Sequence, residues 1–347
     1  MNKITHNTTT IVQLAKNAGA TVTGVTKATC GDPCVAQAML DGGVTSLADS
    51  RITNIKRMKD AGVDAKFMLL RTPMLSELTE VIDYAHVSLQ SERTVMQQIS
   101  TIAKEKGTIH KIILMIEMGD LREGATREEL GTMITDVMQY EGVHLHGFGM
   151  NLACFGGVVP TKEKIEEFEH LVDNLCQEHG LSFPVISGGN SANIPSLLQG
   201  VSYRTINNLR IGEGILLGLE TVHRTPIPHT FQDAFVLESE IIELKEKPSV
   251  PEGVISQNAF GKTPQFTDVG IIMRAIVAVG NQDVIVEDLT PMDDSVNILG
   301  SSSDHIILHL KDASKYKIGD IVQFTMNYGG LLHLFTSHYV KKVYLPA

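Results

Sequence analysis

The first 220 residues alternate short apolar runs with longer amphipathic segments. Eight of the runs are four to eight residues long, and several are continuously apolar rather than alternating. Such runs are typical of parallel strands that are buried on both faces. The predicted strands cover residues 22–26, 44–48, 66–70, 86–89, 111–118, 143–150, 183–187 and 208–212.

Amphipathic helices are predicted between these strands. The clearest covers 161–179, with apolar residues on one stripe and Lys and Glu opposite. Thr161 can cap its start and Gly180 can end it. Further helices are predicted over 32–40 and 91–104. Eight β/α units in about 220 residues predict a (β/α)8 TIM-like barrel, and a doubly wound open sheet is the alternative.

The pattern changes after residue 222. Residues 224–235 contain two prolines and no helical stripe, which predicts a linker. The remaining runs are separated by turn residues and show no helix-length periodicity, so they predict a smaller antiparallel β domain. We therefore predict a barrel domain over 1–222 and a β-rich domain over 223–347. The predicted strands of the second domain are 235–244, 270–280, 283–289, 305–310 and 320–328.

Composition excludes several classes of function. The 347-residue chain is 43% hydrophobic and 20% charged, with a net charge of −11. That charge argues against nucleic-acid binding, which requires a basic face. No apolar run approaches the ~20 residues of a membrane span, and the amino terminus lacks a signal-peptide pattern. We expect a cytoplasmic protein without a membrane partner.

A metal site is not predicted. Cys30 and Cys34 are four positions apart, and His144 and His146 have no matching partners at zinc-site spacing. In the cytoplasm all four cysteines are expected to be reduced: Cys30, Cys34, Cys154 and Cys176.

Candidate chemistry follows three of the predicted barrel strands, at the end where barrels carry their active sites. Lys27 follows the first strand, where partial burial would lower the pKa of its amine and suit it to covalent chemistry. ISGGNSANI (186–194) and RIGEGILLG (210–218) follow the last two strands. Their glycines and free backbone N–H groups suit an anion such as a phosphate.

The motifs VTKATCGDP, LADSRITNIKRMK, MGDLREG, SGGNS, LRIGEGILLG, LKEKPS and SSSDH extend over essentially the whole chain. In these the sequence resembles the alanine racemase family of fold-type III pyridoxal-phosphate (PLP) enzymes, and within it the ornithine racemase branch. The resemblance implies PLP as cofactor and interconversion of the L and D forms of an amino acid. A basic amino acid (ornithine or lysine) or alanine is the implied substrate. It also implies a homodimer with shared active sites.

The resemblance assigns roles to individual residues. Lys27 is the implied Schiff-base lysine, and Arg122 lies near the phenolic oxygen of the cofactor or the substrate carboxylate. Asn151 stands beside the ring, where alanine racemase has a histidine, and Arg210 faces the pyridine nitrogen. The implied phosphate ligands are Ser191, Gly212, Glu213 and Tyr328. Ser303 and Asp304 lie in the loop with which the partner subunit holds the substrate carboxylate.

The sequence departs from the family where the second base is expected. Racemisation requires proton transfer on both faces of the α-carbon, and a tyrosine of the partner subunit serves one face in alanine racemase. The matching stretch VGNQDV places Asn281 there, and an amide is neither acid nor base near neutral pH. His305 and Asp283 are the nearest titratable candidates.

Two other functions stay open. One is a PLP-dependent decarboxylase of a basic amino acid, although its cysteine-bearing loop is not evident in the second domain. The other is a non-catalytic PLP carrier, which would not need a second domain. The first helical pattern begins by residue 6 and leaves no room for the strand with which the family normally opens. Either this sequence starts at an internal methionine or the β domain forms without that strand.

Overall fold

The computed structural model describes residues 1–345, and the chain divides into two compact units. The first unit covers Met1–Ala234 and includes the chain again from Tyr344, and the second covers Phe235–Val343. The predicted boundary after residue 222 lies earlier in the chain than this division.

Residues 223–234 stay with the first unit because they bond to its first helix. The backbone N–H of Phe231 donates to Asn7 Oδ1 at 2.7 Å. Lys3 Nζ forms an ion pair with Asp233 Oδ2 at 2.6 Å. A proline-rich composition marked this segment as irregular, but it could not show to which unit the segment is attached.

The first unit is a closed barrel of eight parallel strands in sequence order, and the last strand closes the ring by pairing with the first. Each strand overlaps a predicted run, so the (β/α)8 prediction is confirmed and the open sheet is wrong. The strands are β1 (Thr21–Val25), β2 (Ser46–Asp49), β3 (Phe67–Leu69), β4 (Val87–Gln90), β5 (His110–Met115), β6 (Val143–Gly149), β7 (Val185–Ser187) and β8 (Asn208–Ile211).

Helices precede or follow the barrel strands. Asp32 caps the second helix through the N–H groups of Cys34 and Val35, and Thr161 caps the seventh. The first helix begins at Asn2, earlier than predicted. The helices are α1 (Asn2–Asn17), α2 (Pro33–Asp41), α3 (Ile52–Asp60), α4 (Leu78–Tyr84), α5 (Arg93–Glu105), α6 (Arg127–Met138), α7 (Lys162–His179), α8 (Ile194–Leu198) and α9 (Glu213–Leu217).

Gly24 determines which face of β1 points into the barrel. A Cβ at Gly24 would lie 3.0 Å from Met39 Sδ of α2, so this position faces the helices. Its neighbours Thr23 and Val25 therefore point inward, because side chains alternate along a strand. Val25 begins an apolar cluster that residues of β2–β5 complete. Lys27 follows two residues after the end of β1, so it lies at the carboxyl ends of the strands, the mouth of the barrel.

The second unit contains a six-stranded antiparallel sheet. Its strands are β9 (Leu237–Pro248), β10 (Ile271–Val277), β11 (Leu289–Pro291), β12 (Val296–Ser301), β13 (Ile306–Leu310) and β14 (Ile321–Met326). Their order in the sheet is β11-β14-β9-β10-β13-β12. The predicted antiparallel β domain is confirmed, but the strand predicted over 283–289 is wrong. Those residues form a turn and the short 3-10 helix Val286–Asp288, and only Leu289 belongs to a strand.

The second unit also contains a helix that the sequence pattern does not predict, α10 (Tyr328–Thr336). Gly329 and Gly330 lower the helix propensity of this segment, so its sequence did not predict a helix. The helix forms because Asn327 Oδ1 caps it by accepting from Gly330 N at 3.1 Å. The glycines also allow close packing, since a Cβ at Gly329 would lie 2.4 Å from Asp288 Oδ2.

Within residues 1–345 no helix has the length and apolar character that crossing a membrane requires. The same residues contain no group of three or more His, Cys, Asp or Glu side chains that could hold a metal ion.

Candidate active site

Lys27 lies at the mouth of the barrel, where it starts a single turn of 3-10 helix after β1. The side chain is half-buried. Burial lowers the pKa of its amine, and the positive charge of Arg122 lowers it further, whereas Cys154, Asp49 and Glu123 raise it. The net shift is downward, which increases the neutral fraction of the amine and makes it a better nucleophile.

Asp49, at the end of β2, holds in place the residue that precedes Lys27. Its buried carboxylate accepts from Thr26 Oγ1 and Asn54 Nδ2, each at 2.9 Å, and from Arg51 N at 3.0 Å. Burial raises the pKa of Asp49, and these hydrogen bonds oppose the rise. Asp49 was not predicted as a site residue, although it directly follows the strand predicted over 44–48 and lies within the quoted motif LADSRITNIKRMK.

Arg210 extends from β8 into the barrel and is 4% exposed. It donates to Ser187 Oγ, to the carbonyl of Met150 at 2.9 Å and to Asn151 Oδ1 at 3.5 Å. Burial lowers the pKa of Arg210 to about 10, with Glu123 opposing the shift. The guanidinium is therefore still charged near neutral pH, and all three acceptors are uncharged groups.

Asn151 lies next to Arg210 and is 9% exposed. Its Oδ1 accepts from Asn190 Nδ2 at 3.0 Å. Its Nδ2 is buried and has no hydrogen-bond partner among the described residues. Buried donors are nearly always paired in folded proteins, so this one points to a group that binds beside it.

The loops after β7 and β8 form a compact cradle. Ser191 Oγ accepts from Gly214 N at 3.2 Å, which ties the two loops together. Gly212 allows a close approach, because a Cβ there would lie 3.0 Å from Val25 Cβ. Gly189 has a φ of +118°, which favours glycine. The side chain of Glu213 forms an ion pair with Arg224.

Arg122 and Glu123 lie in the loop after β5. The loop is closed at its base by Ala125 N donating to the carbonyl of Met115 at 2.8 Å. The guanidinium of Arg122 binds the carboxylate of Glu123 through Nε and Nη2. This hydrogen bonding raises the pKa of Arg122. The two side chains are 40% and 23% exposed, so the pair is within reach of solvent.

Asp120 connects this loop to the loop after β6. The side chain is 1% exposed, and its carboxylate accepts from the backbone N–H groups of Cys154 (3.2 Å), Phe155 (2.9 Å) and Gly156 (3.1 Å). Cys154 Sγ in turn accepts from Asn190 Nδ2 at 3.2 Å. Asp120 was quoted within MGDLREG but not singled out, because its partners are distant in sequence.

Six of the predicted residues are thus gathered by the loops at the carboxyl ends of the barrel strands. Hydrogen bonds, close contacts or electrostatic effects on pKa connect them to one another or to shared neighbours. They are Lys27, Arg122, Asn151, Ser191, Arg210 and Gly212.

Glu213 begins α9 in the first unit, and the other predicted residues lie in the second unit. Ser303, Asp304 and His305 are exposed in the loop between β12 and β13, and Tyr328 is the first residue of α10. Gly280 brings the VGNQD and SSSDH stretches together, since a Cβ there would lie 2.4 Å from the carbonyl oxygen of Ser303.

Asn281 and Asp283 follow Gly280 and border a cavity of about 160 Å³ within the second unit, together with His333 and Ser337. Asp283 is 9% exposed and accepts from Ser337 Oγ at 2.6 Å. His305 Nδ1 lies 3.3 Å from Ser302 Oγ. Of the two candidate bases, His305 is therefore the more accessible.

Comparison with known sequences places the chain near amino-acid racemases. Residues 1–219 match the family model described as alanine racemase, N-terminal domain. The chain is 40% identical over 344 residues to an ornithine racemase of Acetoanaerobium sticklandii, covering 99% of this chain and 97% of the relative. It is also 40% identical over 347 residues to a lysine racemase of Thermotoga maritima, covering 100% and 97%.

Comparison with solved structures supports the same fold. The alanine racemase of a D-cycloserine-producing Streptomyces lavendulae superposes with a TM-score of 0.79 at 15% sequence identity, covering 99% of this chain and 95% of that one. Both the parallel barrel and the antiparallel second unit thus have counterparts in a known architecture.

Proposed function

The chain belongs to the alanine racemase family, and from this premise we propose that it is a PLP-dependent racemase of a basic amino acid. Two relatives that share 40% of their residues with it over nearly the full length are an ornithine racemase and a lysine racemase. The structural observation that carries the proposal is a half-buried lysine at the mouth of a barrel that also holds a buried arginine and a glycine-containing cradle.

The residues present fit PLP. Burial lowers the pKa of Lys27, as covalent attachment to an aldehyde requires. Ser191 of the cradle supplies a hydroxyl, and Gly212 lets the loop after β8 pack closely against Val25 of β1. A hydroxyl and backbone N–H groups at the start of helices suit a phosphate. The unpaired donor of Asn151 is available to a polar atom of the cofactor. Phosphate binding by the backbone of Glu213 and by Tyr328 stays a prediction from the resemblance.

When bound, PLP withdraws electron density from the α-carbon of the amino acid and so makes its α-proton acidic. Lys27 would act as a base on one face of that carbon, because its lowered pKa increases the fraction of the amine that is unprotonated. Asp49 holds Thr26 in place and thereby orients Lys27. Arg122 is proposed to hold the substrate carboxylate or the cofactor's phenolic oxygen.

Arg210 favours racemisation over competing reactions. Its buried guanidinium remains charged near neutral pH, and we propose that it faces the ring nitrogen of the cofactor. A cation there disfavours protonation of that nitrogen and weakens the ring as an electron sink. A weaker sink limits transamination and suits the removal and return of a single proton.

We propose that the second face is served by His305 of a neighbouring subunit in a cytoplasmic homodimer. The part of this loop that contains Ser303 and Asp304 would hold the substrate carboxylate there, through hydroxyl and backbone N–H donors. The exposure of this loop in the single chain supports the proposal, as does the resemblance to a family with shared active sites. Asp283 is the second choice, because it is buried and already accepts from Ser337.

The test is a substrate screen on the purified protein. We expect visible absorbance from the bound cofactor, a dimer in sedimentation at micromolar concentration, and loss of optical rotation with L-ornithine or L-lysine. Release of carbon dioxide would instead identify a decarboxylase. Bound cofactor without turnover of any amino acid would identify a carrier, and either result would overturn the proposal.

A further inference from the structure

A racemase of basic amino acids has to bind two charges on its substrate besides the amino group that reacts. One is the α-carboxylate and the other is the ammonium at the end of the side chain. A buried or half-buried ammonium requires a carboxylate partner. The question is which carboxylate near Lys27 is free to serve.

Three carboxylates near the mouth already have their own partners. Asp49 accepts from Thr26, Asn54 and Arg51. Asp120 is enclosed by backbone N–H groups of the loop after β6, and Glu213 is paired with Arg224. Using any of these for a substrate would disrupt the loops that form the site.

Glu123 differs from these carboxylates in position and in partner. Its side chain is 23% exposed and lies in the loop after β5. Asp120 ties this loop to the loop after β6, where Asn151 accepts from Arg210. The charge of Glu123 also acts on Lys27 and Arg210. Its partner is Arg122, a neighbouring side chain that is itself 40% exposed. Ion pairs at this level of exposure contribute little to stability, so opening the pair costs little.

The backbone keeps Glu123 in this position. Gly124 has a φ of +144°, and a Cβ there would lie 2.5 Å from Glu117 N. Ala125 is bonded at the base of the loop to Met115 and Glu117. Glu123 is therefore held directly before a tight, glycine-dependent closure and does not extend on a free loop.

We propose that Glu123 is the specificity residue that binds the side-chain ammonium of the substrate. The Arg122–Glu123 pair presents a cation and an anion side by side, complementary to an amino acid with a carboxylate and a distal ammonium. On binding, the substrate carboxylate replaces Glu123 on Arg122, and the substrate ammonium replaces Arg122 on Glu123. This inference rests on the proposed function and deepens it.

The test compares L-ornithine with L-norvaline, which has the same carbon chain but no terminal ammonium. Apparent dissociation constants are measured on the holoenzyme by titrating its visible absorbance, alongside KM and kcat. Glu123→Gln should weaken L-ornithine about 10–100-fold, the range expected for loss of a charge-assisted contact. The apparent dissociation constant of L-norvaline should change by less than about threefold, the size of effect expected from a substitution that does not contact the ligand.

Two further variants make the result specific. Glu123→Asp keeps the charge and should recover part of the preference for L-ornithine. Glu128→Gln removes the same charge from an exposed position on α6 and should leave both ligands unchanged. Equal weakening of both ligands by Glu123→Gln would overturn the inference, as would no change in L-ornithine binding.

The failure of the inference is distinguishable from failure of the proposed function. If the parent enzyme racemises L-norvaline as well as L-ornithine, the proposed substrate class is wrong and the inference fails with it. If the parent prefers L-ornithine and Glu123→Gln retains that preference, the racemase proposal stands and Glu123 is not the specificity residue.

Discussion

The two regions that supply candidate catalytic residues differ in how firmly the chain holds them. In the barrel, Arg210 is 4% exposed and donates to Ser187, Met150 and Asn151. In the second unit, Ser303, Asp304 and His305 are exposed on a loop. The barrel side chains are therefore fixed by folding of the chain itself, whereas the loop side chains are not.

The difference follows from the two kinds of scaffold. Adjacent parallel strands end side by side in a closed barrel, so residues just beyond them are brought together and buried by neighbouring loops. A loop between two antiparallel strands has no such neighbours within its sheet. Its side chains keep more conformational freedom, which has to be lost before they can take part in catalysis. This contrast predicts that barrel substitutions affect cofactor binding and loop substitutions affect turnover alone.

Replacing Lys27 should have the largest effect. Lys27→Ala removes both the attachment point of the cofactor and one proton-transfer group, so the rate should fall by more than about 10⁴-fold. Borohydride reduction followed by peptide mapping should place the pyridoxyl group on Lys27 in the parent protein and on no lysine in the variant. Lys16→Ala, in α1, is the matched control and should keep parental activity. A label on any other lysine of the parent would refute the assignment.

Replacing His305 should separate turnover from cofactor binding. His305→Asn should reduce racemisation by about 10²–10⁴-fold, because a general acid–base group is lost, while the visible absorbance stays at the parental level. The variant should exchange the α-proton into deuterated water for one enantiomer only, the one that Lys27 serves. NMR of each enantiomer measures the exchange.

Asp283→Asn provides the comparison for His305. It should be milder, since Asp283 is buried and bonded to Ser337 in the single chain. If His305→Asn racemises at the parental rate and Asp283→Asn does not, Asp283 is the base. If neither variant loses activity, neither residue is the second base, and the contrast between barrel and loop does not explain how catalysis is divided between the two units.

Periodicity was sufficient to predict the barrel because buried parallel strands are continuously apolar and the intervening helices are amphipathic. It was less successful in the second unit. Residues 283–289 are apolar enough for a strand, but Asp283 N and Val284 N donate to the carbonyl of Gly280 and form a turn. The helix α10 contains two glycines, and it depends on contacts with Asp288 that no local pattern reveals.

The positions of candidate residues could be predicted where they lie in a motif at the end of a strand, as for Lys27, Ser191 and Arg210. It was not predictable where a residue acts through partners distant in sequence. Asp120 binds the backbone of residues 154–156, and Glu123 gains its significance from the charges that surround it. Such roles depend on which loops the barrel brings together, and the sequence pattern gives no measure of those distances.

A substitution at Asp120 tests how rigidly the barrel holds the loop after β6. Asp120→Ala removes the acceptor for three backbone N–H groups, so the loop after β6 should open more often. Charge-assisted hydrogen bonds contribute about 1.5–3 kcal/mol, so hydrogen exchange at the backbone N–H groups of residues 154–156 should be about 10–100-fold faster. Hydrogen–deuterium exchange with peptide mapping measures the rate. The backbone N–H groups of α2 are the internal control and should exchange as before; an unchanged rate at residues 154–156 would show that Asp120 does not restrain the loop.

His110, buried in the barrel, is the counterpart of the exposed His305 and should give the smallest effect. Its Nε2 lies 2.9 Å from Ser88 Oγ, and burial lowers its pKa from 6.5 to about 4. Between these values the unfolded chain takes up a proton that the folded chain does not, so stability falls as pH decreases through this window. The loss between pH 7.5 and 5.5 should be about 1 kcal/mol, measured by urea unfolding at each pH. His110→Gln should remove this part of the pH dependence, and His170→Gln, exposed on α7, should not. If the parent and His110→Gln lose stability equally over that range, His110 is not held neutral by the barrel.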